Sequence, residues 1–216
     1  MLVARNERGD VLKIRVDEIG GDSRDWDNIG TMVCWHRGYK LGDKHDFTSP
    51  EDFMERVGKL KGALILPLFL YDHGGLRMKV GSFAGLLPQG HAEFDSGQVG
   101  WIYCTAEKIR AEYGKGKDAR AKAEKCLRGE VEIYDLELQG RVYWYELTRK
   151  LTPGCVAEDG GEGVSENTDE DSCGGFYGED WKQNGLADNL PEDCRDLLDK
   201  LEFVGREASY GDDNDD

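Results

Sequence analysis

The sequence predicts an α+β fold in which several helices pack on a mixed or antiparallel sheet, followed by an acidic loop and a disordered acidic tail. Three observations lead to this class: an alternating strand pattern at residues 11–18, a capped helix that begins after Ser49, and two apolar runs joined by turn residues at 72–75. Because the chain has 216 residues, of which 38% are hydrophobic, it can bury one good core, or one core with a small appended subdomain, and we expect one principal domain.

Two strands are predicted before the first helix. Leu12, Ile14 and Val16 alternate with charged residues over 11–18, which is the period of a half-buried strand. Glycines follow, and the short apolar run at 32–35 predicts a second strand.

The clearest helix start in the chain is at residues 49–52. Ser49 can accept amide hydrogen bonds, Pro50 suits the first helical position, and two acidic residues follow at the positive end of the helix. We expect this helix to run to about Lys61 and to stop at Gly62.

The runs 63–71 and 76–80 predict a hairpin, since Asp72-His73-Gly74-Gly75 between them is good turn chemistry. Pro67 has no amide to donate, so we expect its strand to lie at an edge of the sheet or to bulge there.

The rest of the charge-balanced part predicts a strand at 98–104, a helix capped by Thr105 and ending at Tyr113, a longer helix over 118–138, and a central strand at 141–147. Beyond residue 150 the composition changes. Residues 1–150 hold 24 Asp and Glu against 24 Lys and Arg, whereas residues 151–216 hold 20 against 4. We therefore divide the chain into an α+β core at 1–150, an acidic mobile loop at 151–172, an acidic extension packed on the core at 173–210, and a disordered tail at 211–216. A short helix is expected after Pro191.

The N-terminal residues lack the apolar stretch of a secretory signal, and no segment has the roughly 18 apolar residues that span a bilayer. We expect a cytoplasmic protein that does not bind membranes. The six cysteines are then expected to be free thiols.

The segment Trp26–His36 (WDNIGTMVCWH) is the first candidate site, because it concentrates two tryptophans, a cysteine and a histidine. On a strand, Cys34 and His36 would share a face, and with His45 or His73 they could bind Zn²⁺ or another divalent metal. The alternative is that these residues only pack, in which case there is no cofactor.

A second candidate combines Asp72 and His73 at the hairpin tip with Asp95, where His91 and Glu93 are close in sequence. These groups could hold a metal or act as acid and base, and Cys34 could serve as a nucleophile with His73 and Asp95. Alternatively, both acids only complete turns.

Familiar nucleotide-binding loops are absent from the sequence, and Gly81–Gly85 lacks the central serine of the hydrolase elbow. Acidic residues are interleaved with the basic ones between Lys108 and Arg128, which indicates a solvated helix face.

Four segments carry a resemblance: Trp26–His36, Leu66–Gly75 (LPLFLYDHGG), Asp95–Tyr103 (DSGQVGWIY) and Cys173–Asp180 (CGGFYGED). Together they resemble a family of uncharacterised proteins carried by phages and other mobile elements. The resemblance implies no activity and no catalytic residue. It does imply a setting in which an acidic accessory protein can act against host defence, with carboxylates that imitate DNA phosphates in the basic groove of a host complex.

We therefore predict a protein that binds a host protein with a basic surface, and neither nucleic acid nor membrane. Its oligomeric state is left open. The expected contact residues are acidic side chains and neighbouring aromatic rings: Glu166, Asp169, Glu170, Asp171, Phe176, Tyr177, Glu179, Asp180 and Trp181. The alternatives are a metal-dependent hydrolase or nuclease using His36, Asp72, His73 and Asp95, and a viral structural or replication-associated protein.

Overall fold

Two antiparallel sheets and their helices make up the part of the chain that the computed structural model describes, which is residues 1–18, 20–86, 95–150 and 168–205. The predicted α+β class with an antiparallel sheet is confirmed. The chain divides into two units, residues 1–20 with 140–216, and residues 21–139. No helix among the described residues is long and apolar enough to cross a membrane.

In chain order the elements are β1 (Leu2–Arg5), β2 (Val11–Val16), a 3₁₀ turn (Ser23–Asp25), β3 (Thr31–Cys34), α1 (Pro50–Arg56), β4 (Leu64–Asp72), β5 (Leu76–Val80), β6 (Ser96–Cys104), α2 (Ala106–Tyr113), α3 (Ala119–Leu138), β7 (Val142–Lys150), β8 (Thr168–Tyr177), α4 (Leu186–Asn189), a 3₁₀ helix (Glu192–Lys200) and β9 (Glu202–Phe203).

The first unit contains a five-stranded sheet with the order β8-β7-β2-β1-β9. The inward-facing side chains of β2 and β7 pack with apolar side chains from the C-terminal segment. This core consists of Ala4, Leu12, Ile14, Tyr145, Leu147, Phe176, Leu186, Leu190, Cys194 and Leu197. The boundary suggested by charge at residue 150 therefore lies inside this unit, whose core needs residues from both sides of it.

The structure corrects one boundary of the expected acidic loop. Residues 168–172 form the first half of β8, where their backbone pairs with β7 from Glu146 to Lys150. Ladder hydrogen bonds thus order a stretch that has too little apolar content to be recognised as a strand. The remainder of the expected loop, 151–167, and the expected tail, 211–216, lie outside the described residues.

The second unit contains a four-stranded sheet with the order β3-β6-β4-β5. Alternate residues of β4 point to opposite faces. Leu64, Leu66, Leu68 and Leu70 pack with apolar residues of α2 and α3. The other face carries Val33 and a group of aromatic rings on which Phe53 and Val57 pack.

Most predicted helices and strands of this unit are confirmed. The Ser49 side chain accepts a hydrogen bond from the Asp52 amide, and Thr105 accepts one from the Lys108 amide, so both predicted caps are formed. The first helix ends at Arg56, not Lys61, and turns fill the interval up to Gly62, where φ is +82°.

Pro67 lies in an interior strand, so the expectation of an edge is wrong. Its carbonyl oxygen accepts from the amide of Gly81, immediately beyond the end of β5. Its missing amide therefore faces Gly81, where the pairing with β5 ends, so the proline removes at most the last bond of that ladder. The irregularity expected at Pro67 occurs one residue later, between Leu68 and Phe69, in the pairing with β6.

Candidate functional site

The structure brings Asp72, His73 and Asp95 together at the end of the β4–β5 hairpin. The His73 Nδ1 atom lies 3.3 Å from Asp95 Oδ2, and the amide of Asp72 donates to the carbonyl oxygen of Asp95 at 2.9 Å. The His73 side chain is 58% exposed and the Asp95 side chain 29%. An exposed imidazole held by a carboxylate can act as a base, whereas Asp72 joins the contact through its backbone.

Nothing described at this tip completes a metal centre. Among residues 1–18, 20–86, 95–150 and 168–205, no three His, Cys, Asp or Glu side chains lie close enough together to hold a metal ion. His91 and Glu93, the other candidates at this tip, lie outside those ranges.

Cys34 is not placed to act as a nucleophile. Its side chain is buried in the core between the second sheet and its helices. Burial, reinforced by the negative charge of Asp43, raises the pKa of its thiol to about 12. The thiol is therefore protonated at neutral pH, whereas a cysteine nucleophile needs the thiolate.

Cys34 and His36 also do not share the face of a strand. The strand ends at Cys34, and the exposed ring of His36 stacks on Tyr39 with 5.1 Å between centroids. The third candidate ligand, His73, contacts Asp95 at the hairpin tip instead.

The Trp26–His36 segment is built around a buried ion network that the sequence did not reveal. The Arg24 side chain is 4% exposed. It donates from Nε and Nη2 to the two carboxylate oxygens of Asp43, at 2.8 and 3.0 Å. Its Nη1 atom lies 3.2 Å from Glu130 Oε2, and its Nη2 atom also donates to the carbonyl of Gly30. Desolvation lowers the pKa of the Arg24 guanidinium, but the two carboxylates outweigh it and raise that pKa above its ordinary value.

Glu130 of α3 holds the same segment by its backbone. Its Oε1 atom accepts from the amides of Ile29 and Gly30 at 2.9 and 3.1 Å. A Cβ at Gly30 would lie only 2.7 Å from Glu130 Oε2 and from Ile102 Cδ1. Glycine at position 30 therefore leaves the room that this buried carboxylate needs.

The loop between β3 and α1 forms an open groove of about 670 Å³ beside this network. We call it the β3–α1 groove. It is lined by Cys34, Trp35, His36, Arg37, Tyr39, Lys40, Leu41, Gly42, Asp43, Lys44 and His45. Sequence reasoning missed its cations, Arg37, Lys40 and Lys44, although three basic residues among aromatic ones in so short a span were a usable signal.

The predicted acidic contact residues lie in the first unit, except Glu166, which is outside the described residues. Glu170 and Asp171 are exposed on β8, and Asp169 is half-buried. Asp171 also accepts a hydrogen bond from the hydroxyl of Tyr145 at 2.8 Å. Burial and this carboxylate raise the pKa of Tyr145.

The aromatic part of the prediction needs correction at Phe176, which is 5% exposed and packs in the first core beside Tyr145. Phe176 cannot anchor a partner, because its ring points inward from β8 and is already packed in the protein's own core. Trp181 is half-buried and packs edge-on against Tyr143, with 5.2 Å between centroids. Tyr177 is also half-buried.

Glu179 and Asp180 have structural partners as well. Glu179 accepts from the hydroxyl of Tyr143 at 2.7 Å and lies 3.4 Å from Arg141. Burial and then Glu179 raise the pKa of Tyr143 to about 12. Asp180 accepts from the amides of Lys182 and Gln183, which fixes the turn before α4.

β8 is an edge strand of the described sheet. The backbone groups of β7 point alternately to β2 and to β8. The Val142 carbonyl accepts from the Asp17 amide on the β2 side, and the Arg141 carbonyl accepts from the Gly178 amide on the β8 side. On β8, the backbone groups of Asp169, Asp171 and Cys173 therefore point to β7. Those of Glu170 and Ser172 point away from the sheet.

The excess of acid also belongs to the first unit. Residues 1–20 and 140–216 together hold 25 Asp and Glu against 11 Lys and Arg, whereas residues 21–139 hold 19 against 17. The edge that β8 forms in the described sheet therefore lies in the strongly negative unit. No protein-family model, curated protein or solved structure matches the chain.

Proposed function

We propose that this chain is a protein-binding protein whose first unit contacts a basic partner surface along β8. The observation that carries the proposal is the coincidence, on one edge strand, of outward backbone groups at Glu170 and Ser172 with three successive acidic residues, Asp169, Glu170 and Asp171. An edge strand can accept an added strand by main-chain hydrogen bonds, and the carboxylates select a basic one.

The charge spacing of this strand supports a partner that normally binds nucleic acid. Successive residues of an antiparallel strand rise by about 3.4 Å. One strand of DNA carries a negative charge about every 3.4 Å along its axis. Along the strand axis, three acidic residues in a row therefore match that spacing, and their side chains alternate between the two faces of the sheet. In the setting that the family resemblance implies, the partner is a host defence complex whose basic groove this strand occupies.

The test uses the full chain with altered charge. A truncation at Lys150 is unsuitable, since it would delete β8 and the core residues Leu186, Leu190 and Leu197. The variant is Asp169→Asn with Glu170→Gln, which leaves the Tyr145–Asp171 hydrogen bond in place. The matched control is Glu112→Gln with Glu132→Gln, which removes two charges from exposed helix positions of the second unit.

Each protein is used as bait in a bacterial lysate at low and high salt, with and without a DNA duplex as competitor. We expect a protein retained by wild type and by the control, released by salt and by the duplex, and lost with the β8 variant. Equal capture by both variants would contradict the proposal, as would the capture of no protein at either salt.

The contact between His73 and Asp95 favours a second candidate function, a hydrolase or nuclease that uses this pair with Asp72. Its test is hydrolysis of nucleic acid and of phosphate esters with added Mg²⁺, Mn²⁺ or Zn²⁺, comparing wild type with His73→Ala. Activity that disappears in the variant supports an enzyme. Equal rates in the two proteins, or no turnover, would remove this candidate.

A further inference from the structure

We propose that the β3–α1 groove binds a nucleoside phosphate. The proposal concerns the second unit and is independent of the partner contact proposed for β8. The volume of the groove, about 670 Å³, falls in the range of about 300 to 1,000 Å³ that is usual for small-molecule sites.

The groove presents three basic side chains that none of the described residues neutralises. The side chains of Arg37, Lys40 and Lys44 are exposed, and within the described part of the chain they have neither an ion pair nor a hydrogen bond. The two acidic residues of the loop are engaged elsewhere, Asp43 with Arg24 and Asp46 with Arg56. Three unpaired cations around one concavity are suited to a phosphate group.

Aromatic rings lie among these cations. The rings of His36 and Tyr39 are stacked, with planes 21° apart, and Tyr39 is 43% exposed. An exposed ring in such a position can stack on a nucleobase, a contact that tolerates any base. Inorganic phosphate would make no use of it, so the rings favour a nucleoside phosphate.

His45 lines the groove, and within the described residues one of its ring nitrogens is engaged and the other is enclosed. Its Nε2 atom lies 3.2 Å from the carbonyl oxygen of Cys34 and donates to it, because a carbonyl can only accept. The other ring nitrogen, Nδ1, is buried and has no hydrogen-bond partner. Because the protein encloses this atom, a ligand in the groove does not reach it in this conformation, and recognition rests on the cations and the exposed ring.

The loop that forms the groove is held in place without a ligand. Asp43 is fixed by Arg24 and accepts a hydrogen bond from the amide of Met32. The amide of Gly42 donates to the hydroxyl oxygen of Tyr134 at 3.0 Å. Gly42 has φ +69°, and a Cβ there would lie 2.7 Å from the carbonyl oxygen of Met32. A buried ion network is expensive to build, and here it positions a surface loop, as expected for a preorganised binding site.

Isothermal titration of the full chain with AMP, ATP and inorganic pyrophosphate tests the proposal. We expect AMP and ATP to bind, and Arg37→Ala with Lys40→Ala to weaken both by about tenfold or more, since the variant removes two of the three cations that line the groove. Tyr39→Ala should weaken AMP more than pyrophosphate, because only AMP offers a ring to stack.

The matched control is Lys115→Ala with Lys117→Ala, which removes two exposed cations from the loop between α2 and α3. This control should bind both nucleotides as wild type does. The proposal is overturned if neither nucleotide binds at millimolar concentration, if both double variants lose affinity equally, or if pyrophosphate binds and Tyr39→Ala affects it as much as AMP. None of these outcomes depends on a protein partner, so the failure of this proposal is distinguishable from failure of the β8 contact.

Discussion

Arg24 and Asp43 form a two-pronged ion pair, with Nε to Oδ1 at 2.8 Å and Nη2 to Oδ2 at 3.0 Å, and the arginine is almost fully enclosed. The pair joins the turn before β3 to the loop after it. Since Glu130 contacts the same guanidinium from α3, one buried cation ties three separate parts of the second unit together. The network therefore holds the backbone of this segment at Ile29, Gly30 and Met32.

Glu130→Ala should destabilise the second unit strongly. The change leaves Arg24 with one carboxylate partner and leaves the amides of Ile29 and Gly30 without their acceptor. Breaking a buried charged network from one side costs about 3 to 5 kcal/mol. Denaturant unfolding of the full chain measures the loss, with Glu132→Ala as the control at an exposed position of the same helix. Similar stabilities of the two variants would show that the network contributes little.

The strong local signals of the sequence predicted most of the fold. The caps at Ser49 and Thr105, the turn glycines of the hairpin and the apolar period of α3 each depend on residues a few positions apart. β1 was not predicted, because four residues are too few to show alternation. Its pairing with β2 depends on the turn that Asn6 and Asp10 close.

The candidate sites were predicted less well, for a physical reason. Asp72, His73 and Asp95 meet because the hairpin and β6 are neighbours in one sheet, which the pattern of strands made plausible. The Arg24–Asp43–Glu130 network joins residues up to 106 positions apart, and no spacing rule reveals it. Burial of Cys34 against the helices likewise depends on which face of β3 meets them, which its sequence leaves open.

Alanine at two glycines of the second unit should have opposite effects on stability. Gly30→Ala places a Cβ 2.7 Å from both Glu130 Oε2 and Ile102 Cδ1, and such overpacking costs about 1 to 3 kcal/mol. Gly129→Ala, inside α3, meets nothing within 4 Å, and it should stabilise by about 0.5 to 1 kcal/mol through helix propensity. Thermal unfolding of both variants against wild type checks the two signs. A stabilised Gly30→Ala would mean that the segment moves away from Glu130.

Cysteine reactivity should separate Cys173 from Cys34. Cys173 is exposed on β8, whereas the thiol of Cys34 is buried with a pKa near 12. Iodoacetamide reacts with thiolates, so at pH 8 the native chain should be modified at Cys173 and spared at Cys34. Peptide mapping by mass spectrometry, before and after denaturation, measures this directly. Modification of native Cys34 as fast as Cys173 would restore it as a candidate nucleophile.

Asp10 should make the first unit sensitive to acid. Its carboxylate is buried and accepts hydrogen bonds from the Asn6 side chain at 2.8 Å and from the Lys150 amide at 2.9 Å. The Nη2 atom of Arg8 lies 2.8 Å from the Oδ2 atom of Asp10. Burial opposes the charged form, but these hydrogen bonds and the arginine outweigh it and hold the pKa of Asp10 below its ordinary 3.8.

A carboxyl group whose pKa is lower in the folded chain than in the unfolded chain stabilises the fold at pH values above the unfolded-state pKa. This contribution to stability is lost as the pH falls through the folded-state pKa. Asp10→Asn should therefore cost about 1.5 to 3 kcal/mol at pH 7, where the charged acceptor is lost. The difference from wild type should shrink below about pH 4, where protonation begins to remove the same charge from the wild-type chain. Unfolding free energies of the two proteins at pH 7 and pH 3 measure the convergence. A gap that is as wide at pH 3 as at pH 7 would mean that the shape of the side chain, and not its charge, is what the β1–β2 turn requires.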